Sequence, residues 1–396
     1  MRININRLFR GAILLIYTMV FLFGGFVQYF IGVSTTLYTL LIIGLIYFLI
    51  VFNWALTLKV YINKVIIVCF AFCAIIIFSG VVNKAPIPKV ALYLIFGLLP
   101  MGVFWLLSLI KQRKIKIRES LGQLTKIVVY LQLPIVLLQK YGYTFLIGFS
   151  RSNQAIAPYD FMFGTFFIRA DHALGFFMLI YLMKLLISLK KRNYSNVPWA
   201  TIIYIGFTIM IMESNLSKVF LIIVLSFYFF IWLYKKIKFL GLVLILISSI
   251  VIFNLSLKIP ILSAHYKNFS RNYTIEKSKV DFERTTAKRI QIAMVYATQI
   301  PWKILGEGPY DYFDIFKGEF KKTKHFSQLI WSYNDLGIIG LTISLVLGLV
   351  ISFSLGLKKE HRRLLTGMLI FYLFMTNIFS DLAICLSLIL IDEKIE

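Results

Sequence analysis

Few residues in this chain have the chemistry for catalysis or anion binding, and most of them interrupt apolar sequence. Arg169, Asp171, His172, Glu213, Lys218, Asp335 and Asp381 lie in or at the ends of long hydrophobic runs. A charge at the centre of a membrane helix costs about 2.5–3.5 kcal/mol on insertion scales, so such residues are candidates for function by default. A second concentration follows in the C-terminal half. It begins with Arg284, Lys288 and Arg289, and continues with Pro301-Trp-Lys-Ile-Leu-Gly306-Glu307-Gly308-Pro309-Tyr310. Lys324-His325-Phe-Ser327 and then Asn334-Asp335-Leu-Gly337-Ile-Ile-Gly340 complete it. Earlier, Phe163-Gly164-Thr165-Phe166 precedes the Arg169–His172 group. Glycines on both sides of Glu307 allow the backbone a tight turn or a close approach to a ligand. Histidine and carboxylate side chains of this kind serve acid–base chemistry. No His-x-x-His, Glu-x-x-His or Asp-x-Asp spacing occurs, so neither a metal nor a nucleotide cofactor is expected.

These residues must be positioned by membrane helices. Of the 396 residues 60% are hydrophobic and 15% charged, and the mean hydropathy is +0.84. Soluble domains carry about 25% charged residues, so the water-soluble enzyme classes are excluded. Runs long enough to cross a bilayer, roughly 20 residues, fall near 12–32, 36–56, 65–82, 90–110, 122–139, 163–187, 198–212, 216–234, 238–256 and 328–356. The stretch 364–391 is too long for one span and is interrupted by Thr376, Asn377, Ser380 and Asp381, which predicts a tight two-helix hairpin. The expected fold is an all-α polytopic membrane protein with about twelve transmembrane helices. Nine spans fill 1–256, a large extracytoplasmic loop fills 257–326, and three spans fill 327–396. The 257–326 loop has amphipathic stretches and many aromatics, which predicts a small, partly helical cap.

Net charge is +25, from 42 Lys and Arg against 17 Asp and Glu. Basic clusters precede the first span and follow the second, fourth, sixth, eighth and tenth. By the positive-inside rule that places both termini in the cytoplasm, and much of the charge is then a topology signal, not a nucleic-acid footprint. On this topology the charged residues within the spans all fall at outward helix ends. His265 and His361 read as solvated, and Cys69, Cys73 and Cys385, set in apolar runs, as packing residues. The first run, with no small-residue cleavage site after it, reads as a span, not a signal peptide.

In this arrangement the chain resembles the O-antigen polymerase and ligase superfamily, bacterial membrane glycosyltransferases of the Wzy type. The resemblance rests on the span architecture and on motifs within 160–220 and 284–342. It lies in Arg289 early in the large loop, the Pro301–Gly308 run, His325, Gly337 and Gly340 at the start of the next helix, and Gly164-Thr165-Phe166. The chain departs from the family where Glu213-Ser214 and Lys218 replace a common Ser-Arg, and no Arg-x10-Gly repeat fits Arg151, Arg169 or Arg289.

What the resemblance implies is a metal-independent polymerase. It would transfer a growing glycan from undecaprenyl pyrophosphate onto a fresh lipid-linked repeat unit, at the outer face of the cytoplasmic (inner) membrane. Arg289 would hold the departing pyrophosphate bidentately, and His325 would be the base, with Glu307 as a further catalytic group. Arg169, His172, Lys218, Arg284, Asp335 and Tyr310 would bind substrate. Expected partners are the lipid-linked oligosaccharide, membrane lipid, and the chain-length regulator and flippase of the same pathway, with no nucleic acid. A ligase passing the finished chain to another acceptor uses the same donor and topology. A transporter of lipid-linked oligosaccharide needs related halves and a polar path at mid-depth, and neither is visible in the sequence.

Overall fold

The computed structural model describes residues 5–59, 61–152, 156–168, 170–191, 198–256, 302–310 and 327–395. Every regular element among them is helical. They are α1 (Ile5–Ile31), α2 (Thr35–Thr57), α3 (Lys64–Val82), α4 (Ile87–Gln112) and α5 (Arg118–Tyr141). Then come α6 (Asp171–Lys191), α7 (Trp199–Ile211), α8 (Asn215–Ser256), α9 (Gln328–Ser354), α10 (Lys359–Met375) and α11 (Leu382–Leu390). Among the described residues, eight helices are long and apolar enough to cross a membrane. Several start where a short polar side chain accepts an otherwise orphaned backbone N–H. Ser34 caps α2, Asn63 caps α3 and Ser327 caps α9 in this way.

The bundle has two chemically different ends. At one, Arg113 bonds Asn53, Arg10 bonds Ser120, and Lys111 pairs with Asp392 at 2.7 Å. These contacts tie the start of α1, the ends of α2 and α4, the start of α5 and the C-terminal tail into one basic end. His361 belongs to the same half of the molecule and corrects the reading of it as solvated. It is buried, its Nδ1 is 2.9 Å from the Tyr228 hydroxyl, and the two rings stack at 5.5 Å. α10 turns this residue towards α8.

Two further expectations change. The spans 216–234 and 238–256 form a single continuous helix, α8, of 42 residues. Lys235, Lys236 and Lys238 between them are good helix formers, and no Pro or Gly stands there to stop the helix. The expected span at 163–187 starts late, because Phe163–Ile168 is not helical and α6 begins at Asp171.

Non-helical backbone inside a membrane protein must find hydrogen-bond partners within the protein. For the Phe163–Ile168 segment three buried glutamines supply them. Gln139 accepts from the Gly164 N–H at 2.7 Å and donates to the Gly164 carbonyl at 2.9 Å. Gln132 accepts from the Thr165 N–H and donates to its hydroxyl, while Gln28 accepts from the Ile168 N–H. On the other side α1 makes room. Its helix widens into π turns at Met19–Phe23 and Val27–Ile31 around Gly24 and Gly25, and Gly25 donates to the Thr165 carbonyl at 2.9 Å. A Cβ on Gly25 would come within 2.2 Å of the Phe166 carbonyl oxygen.

Removing such an amide strands buried backbone groups, at a cost of about 1–3 kcal/mol each. Gln139→Leu should therefore lower the melting temperature of the detergent-solubilised protein measurably, and so should His361→Ala. Exposed Gln123→Leu, on the same helix as Gln139, should leave it unchanged. Equal melting temperatures for Gln139→Leu and Gln123→Leu would contradict this account of the segment.

Candidate functional site

The end of the bundle opposite the basic one collects the candidate residues, in two groups. The first is built where α9 breaks. Gly337 has φ +68° and ψ −156°, outside the helical range, inside Gln328–Ser354. The break frees carbonyls on its N-terminal side and N–H groups on its C-terminal side. The segment Trp302–Tyr310 lies across it and satisfies both. Glu307 N–H donates to the Asn334 carbonyl and Gly308 N–H to the Asp335 carbonyl, each at 2.9 Å. In return Ile338 N–H donates to the Lys303 carbonyl at 3.0 Å and Ile339 N–H to that of Ile304 at 3.4 Å. Ser79 of α3 closes the joint, its hydroxyl donating to the carbonyls of Leu305 and Asp335.

The glycines in this joint meet two demands. Gly306 and Gly308 have φ of +66° and +99°, a region that strains other residues. They also sit against neighbouring backbone. A Cβ on Gly306 would lie 2.5 Å from the Asp335 carbonyl carbon, and one on Gly337 would lie 2.4 Å from the Lys303 and Ile304 oxygens. Gly340 packs under Leu336 and the Ser332 carbonyl. The two glycine motifs read separately in the sequence are therefore the two halves of one joint.

Asp335, expected to bind substrate, is the pin of this joint. It is fully buried. Its Oδ2 accepts from Trp331 Nε1 at 2.8 Å and from the Tyr310 N–H at 2.9 Å, and its Oδ1 accepts from the Asn334 amide at 2.7 Å. A buried carboxylate is tolerated because these donors replace its hydration. Tyr310 likewise packs edge-on against Tyr93 and Trp331, with ring centroids 5.4 and 5.3 Å away, so its ring serves the joint. Glu307 lies at the surface of the segment, where its carboxylate pairs with Lys303.

The second group gathers at the starts of α6 and α8. His172 Nδ1 is 2.7 Å from Ser214 Oγ and 3.8 Å from Asp171 Oδ2. Ser214 is 2.7 Å from Ser217, and Ser217 is 3.0 Å from the hydroxyl of the buried Tyr372 of α10. Exposed Glu213 and half-buried Lys218 flank this chain of hydroxyls. Aspartate, histidine and serine here do not form a nucleophilic triad. A triad needs the carboxylate and the hydroxyl on opposite ring nitrogens, whereas both face Nδ1. The chain instead fixes the orientation of the imidazole at the mouth of the bundle.

Asp381 stands apart from both groups and is not at an outward helix end. It is the N-cap of α11, accepting from the Ile384 N–H at 2.9 Å. It follows the non-helical 376–380 segment, which places Phe379 against Phe72, midway along α3. Gln328 holds this segment, its N–H donating to the Thr376 carbonyl and its side-chain oxygen accepting from Phe379 N–H. Arg169, Arg284, Arg289 and His325 lie outside the described residues. Among the described residues, no three His, Cys, Asp or Glu side chains are grouped so as to hold a metal ion.

Sequence reasoning missed Gln28, Gln132, Gln139, Ser79 and Ser217, and marked Ser214 only as a departure from the family pattern. Polar residues within apolar spans were the available signal: Gln132 and Gln139 are seven residues apart, two turns along one helix face.

If the joint depends on those close approaches, Gly337→Ala and Gly306→Ala should unseat the Trp302–Tyr310 segment. Limited trypsin digestion of purified protein should then cut at Lys303 many-fold faster than in wild type. Gly44→Ala, where a Cβ meets nothing within 4 Å, is the control and should digest at the wild-type rate. Unchanged cleavage in both joint variants would count against the docking.

Comparison with protein-family models finds no family that matches this chain, and a search of curated proteins finds no match either.

Proposed function

We propose that the chain is a metal-independent polysaccharide polymerase of the cytoplasmic membrane. It transfers a growing glycan from undecaprenyl pyrophosphate to a new lipid-linked repeat unit on the outer face. The observation that carries this reading is the joint itself. Two of the runs that carry the family resemblance, Pro301–Gly308 and Gly337–Gly340, meet there: Glu307 and Gly308 donate to the carbonyls of Asn334 and Asp335, and Ile338 and Ile339 donate to those of Lys303 and Ile304. They lie at the same end of the bundle as Asp171, His172, Glu213 and Lys218. On the topology inferred from Lys and Arg, with 257–326 outside, that end is the outer one. A lipid-linked pyrophosphate reaches such a place from the bilayer.

In this reading the hydroxyl of the acceptor sugar attacks the anomeric carbon of the donor. The new glycosidic bond forms as the bond to the pyrophosphate oxygen breaks, and undecaprenyl pyrophosphate leaves with the electron pair. The hydroxyl proton passes to His325. Arg289 holds the charge that accumulates on the leaving group, supported by Arg169, Arg284 and Lys218. Glu307, Asp335 and Tyr310 shape the segment beside them, and His172 orients substrate. The chain-length regulator and flippase of the pathway are the protein partners expected in this reading.

Transport of lipid-linked oligosaccharide is the second reading. Asp381 and the non-helical segment midway along α3 favour it, since such breaks line substrate paths in transporters.

The topology is tested by a cysteine at Ser278. In intact cells or spheroplasts Ser278→Cys should react with an impermeant thiol reagent, and labelling only after the membrane is breached would overturn the orientation. The function is tested by the length of surface polysaccharide in a deletion strain carrying each variant at matched protein levels. Loss of the protein should leave single repeat units on the acceptor. Complete loss of attached chains would instead indicate ligation or transport. Arg289→Lys keeps the charge but loses the two-pronged contact, so chain elongation should fall steeply, as it should in His325→Ala. Long chains from Arg289→Ala or His325→Ala would remove those residues from the mechanism. Loss of elongation in Glu307→Gln alone would transfer the base to the carboxylate.

A further inference from the structure

The basic end of the bundle contains a cavity of about 240 Å³ between the start of α5, the last turns of α6 and the C-terminal tail. Leucine and isoleucine side chains from all three segments form most of its wall. Arg118, Lys184, Asp392 and Glu393 are its charged lining residues. Lys184 is unusual among them. It belongs to a membrane-crossing helix, is half-buried, and among the described residues makes no ion pair.

A cation held in that position without a carboxylate loses hydration with nothing to replace it. Asp392 does not provide the replacement. Asp392 is committed to Lys111 at 2.7 Å and also accepts from the N–H groups of Gly356 and Lys394. Arg118, the other cation of the wall, repels Lys184 and is itself exposed at the mouth. Asp392 is paired with Lys111 from outside the lining, so it does not offset the two lining cations, Arg118 and Lys184.

We propose that this cavity is a binding site for the phosphodiester headgroup of an anionic phospholipid, with Arg118 and Lys184 on the phosphate and the aliphatic wall against the upper acyl chain. Two cations on one wall suit a phosphodiester anion, and basic pockets between membrane helices are where such headgroups bind. The aliphatic lining favours a lipid over a free phosphate ion, which would gain nothing from it. The site is independent of the glycosyl transfer proposed above, because it occupies the opposite end of the helices that carry His172.

The test is native mass spectrometry of the full chain, delipidated in detergent and offered phosphatidylglycerol and phosphatidylcholine at equal concentration. Wild type should retain one phosphatidylglycerol in preference to phosphatidylcholine. Each of Lys184→Met and Arg118→Gln should weaken that retention about fivefold, as expected for one cation at a lipid phosphate. Lys116→Met, an exposed cation outside the cavity, should retain phosphatidylglycerol as wild type does. Lys184→Met removes a half-buried unpaired charge, so its melting temperature should equal or exceed that of wild type and folding does not confuse the result. Equal retention of the two lipids, or undiminished retention by Lys184→Met, would overturn the proposal. So would a Lys184-dependent rise in melting temperature with inorganic phosphate alone at the expense of lipid retention, which would make the ligand a soluble anion.

Discussion

The exchange of backbone hydrogen bonds between Trp302–Tyr310 and the broken helix α9 is the constraint on which this end of the molecule depends. A helix interrupted at Gly337 leaves donors and acceptors that lipid cannot satisfy. Here each freed group meets its opposite: N–H groups of Glu307 and Gly308 on one side, carbonyls of Lys303 and Ile304 on the other. The segment needs the break as much as the break needs the segment. Ser79 from α3 and the aromatic rings of Tyr93, Phe96, Tyr310 and Trp331 then enclose Asp335, so one joint organises α3, α4 and α9 together.

The same solution recurs twice with different parts. At Phe163–Ile168 the helix that yields is α1, which widens around Gly24 and Gly25, and the partners are glutamine side chains. At 376–380 a single glutamine, Gln328, serves backbone groups at both ends of the segment. Each interruption costs continuous helical bonding, and each is offset by a side chain or segment fixed in place by the rest of the bundle. Irregular backbone of this kind persists in membrane proteins where it borders a site or a path. Two of the three interruptions adjoin groups that chemistry can use: the docked segment carries Glu307, and the Phe163–Ile168 hook leads directly into Asp171 and His172. The third presents Asp381 at the start of α11.

Charge is distributed by a different logic. Basic residues gather at one end, where Lys111 pairs with Asp392, Arg113 bonds Asn53, and Arg118 and Lys184 line the cavity. At the opposite end, among the described residues, Asp335, His172 and the Lys303–Glu307 pair are held in hydrogen-bonded groups. The basic end with its cavity is therefore separate from the end that carries Asp171, His172, Glu213, Glu307 and Lys218.

Composition and hydrophobic run length were sufficient to establish a helical membrane protein, because a span is a local property that twenty consecutive residues decide. Most helix positions followed, and so did the burial of Cys69, Cys73 and Cys385 in apolar packing. The glycines of the joint were also legible as a pattern, since a Gly-x-Gly run marks a special backbone whatever it touches. Tertiary structure decided what that backbone meets. Asp335 and Tyr310 read as ligand-facing groups, but a carboxylate's role depends on whether its donors come from water, ligand or protein, and here Trp331 and Asn334 supply them. His361 was misread for the same reason, its partner Tyr228 lying 133 residues away. The late start of α6 and the depth of Asp381 depend on glutamines from other segments, and no local propensity records a hydrogen bond across the bundle.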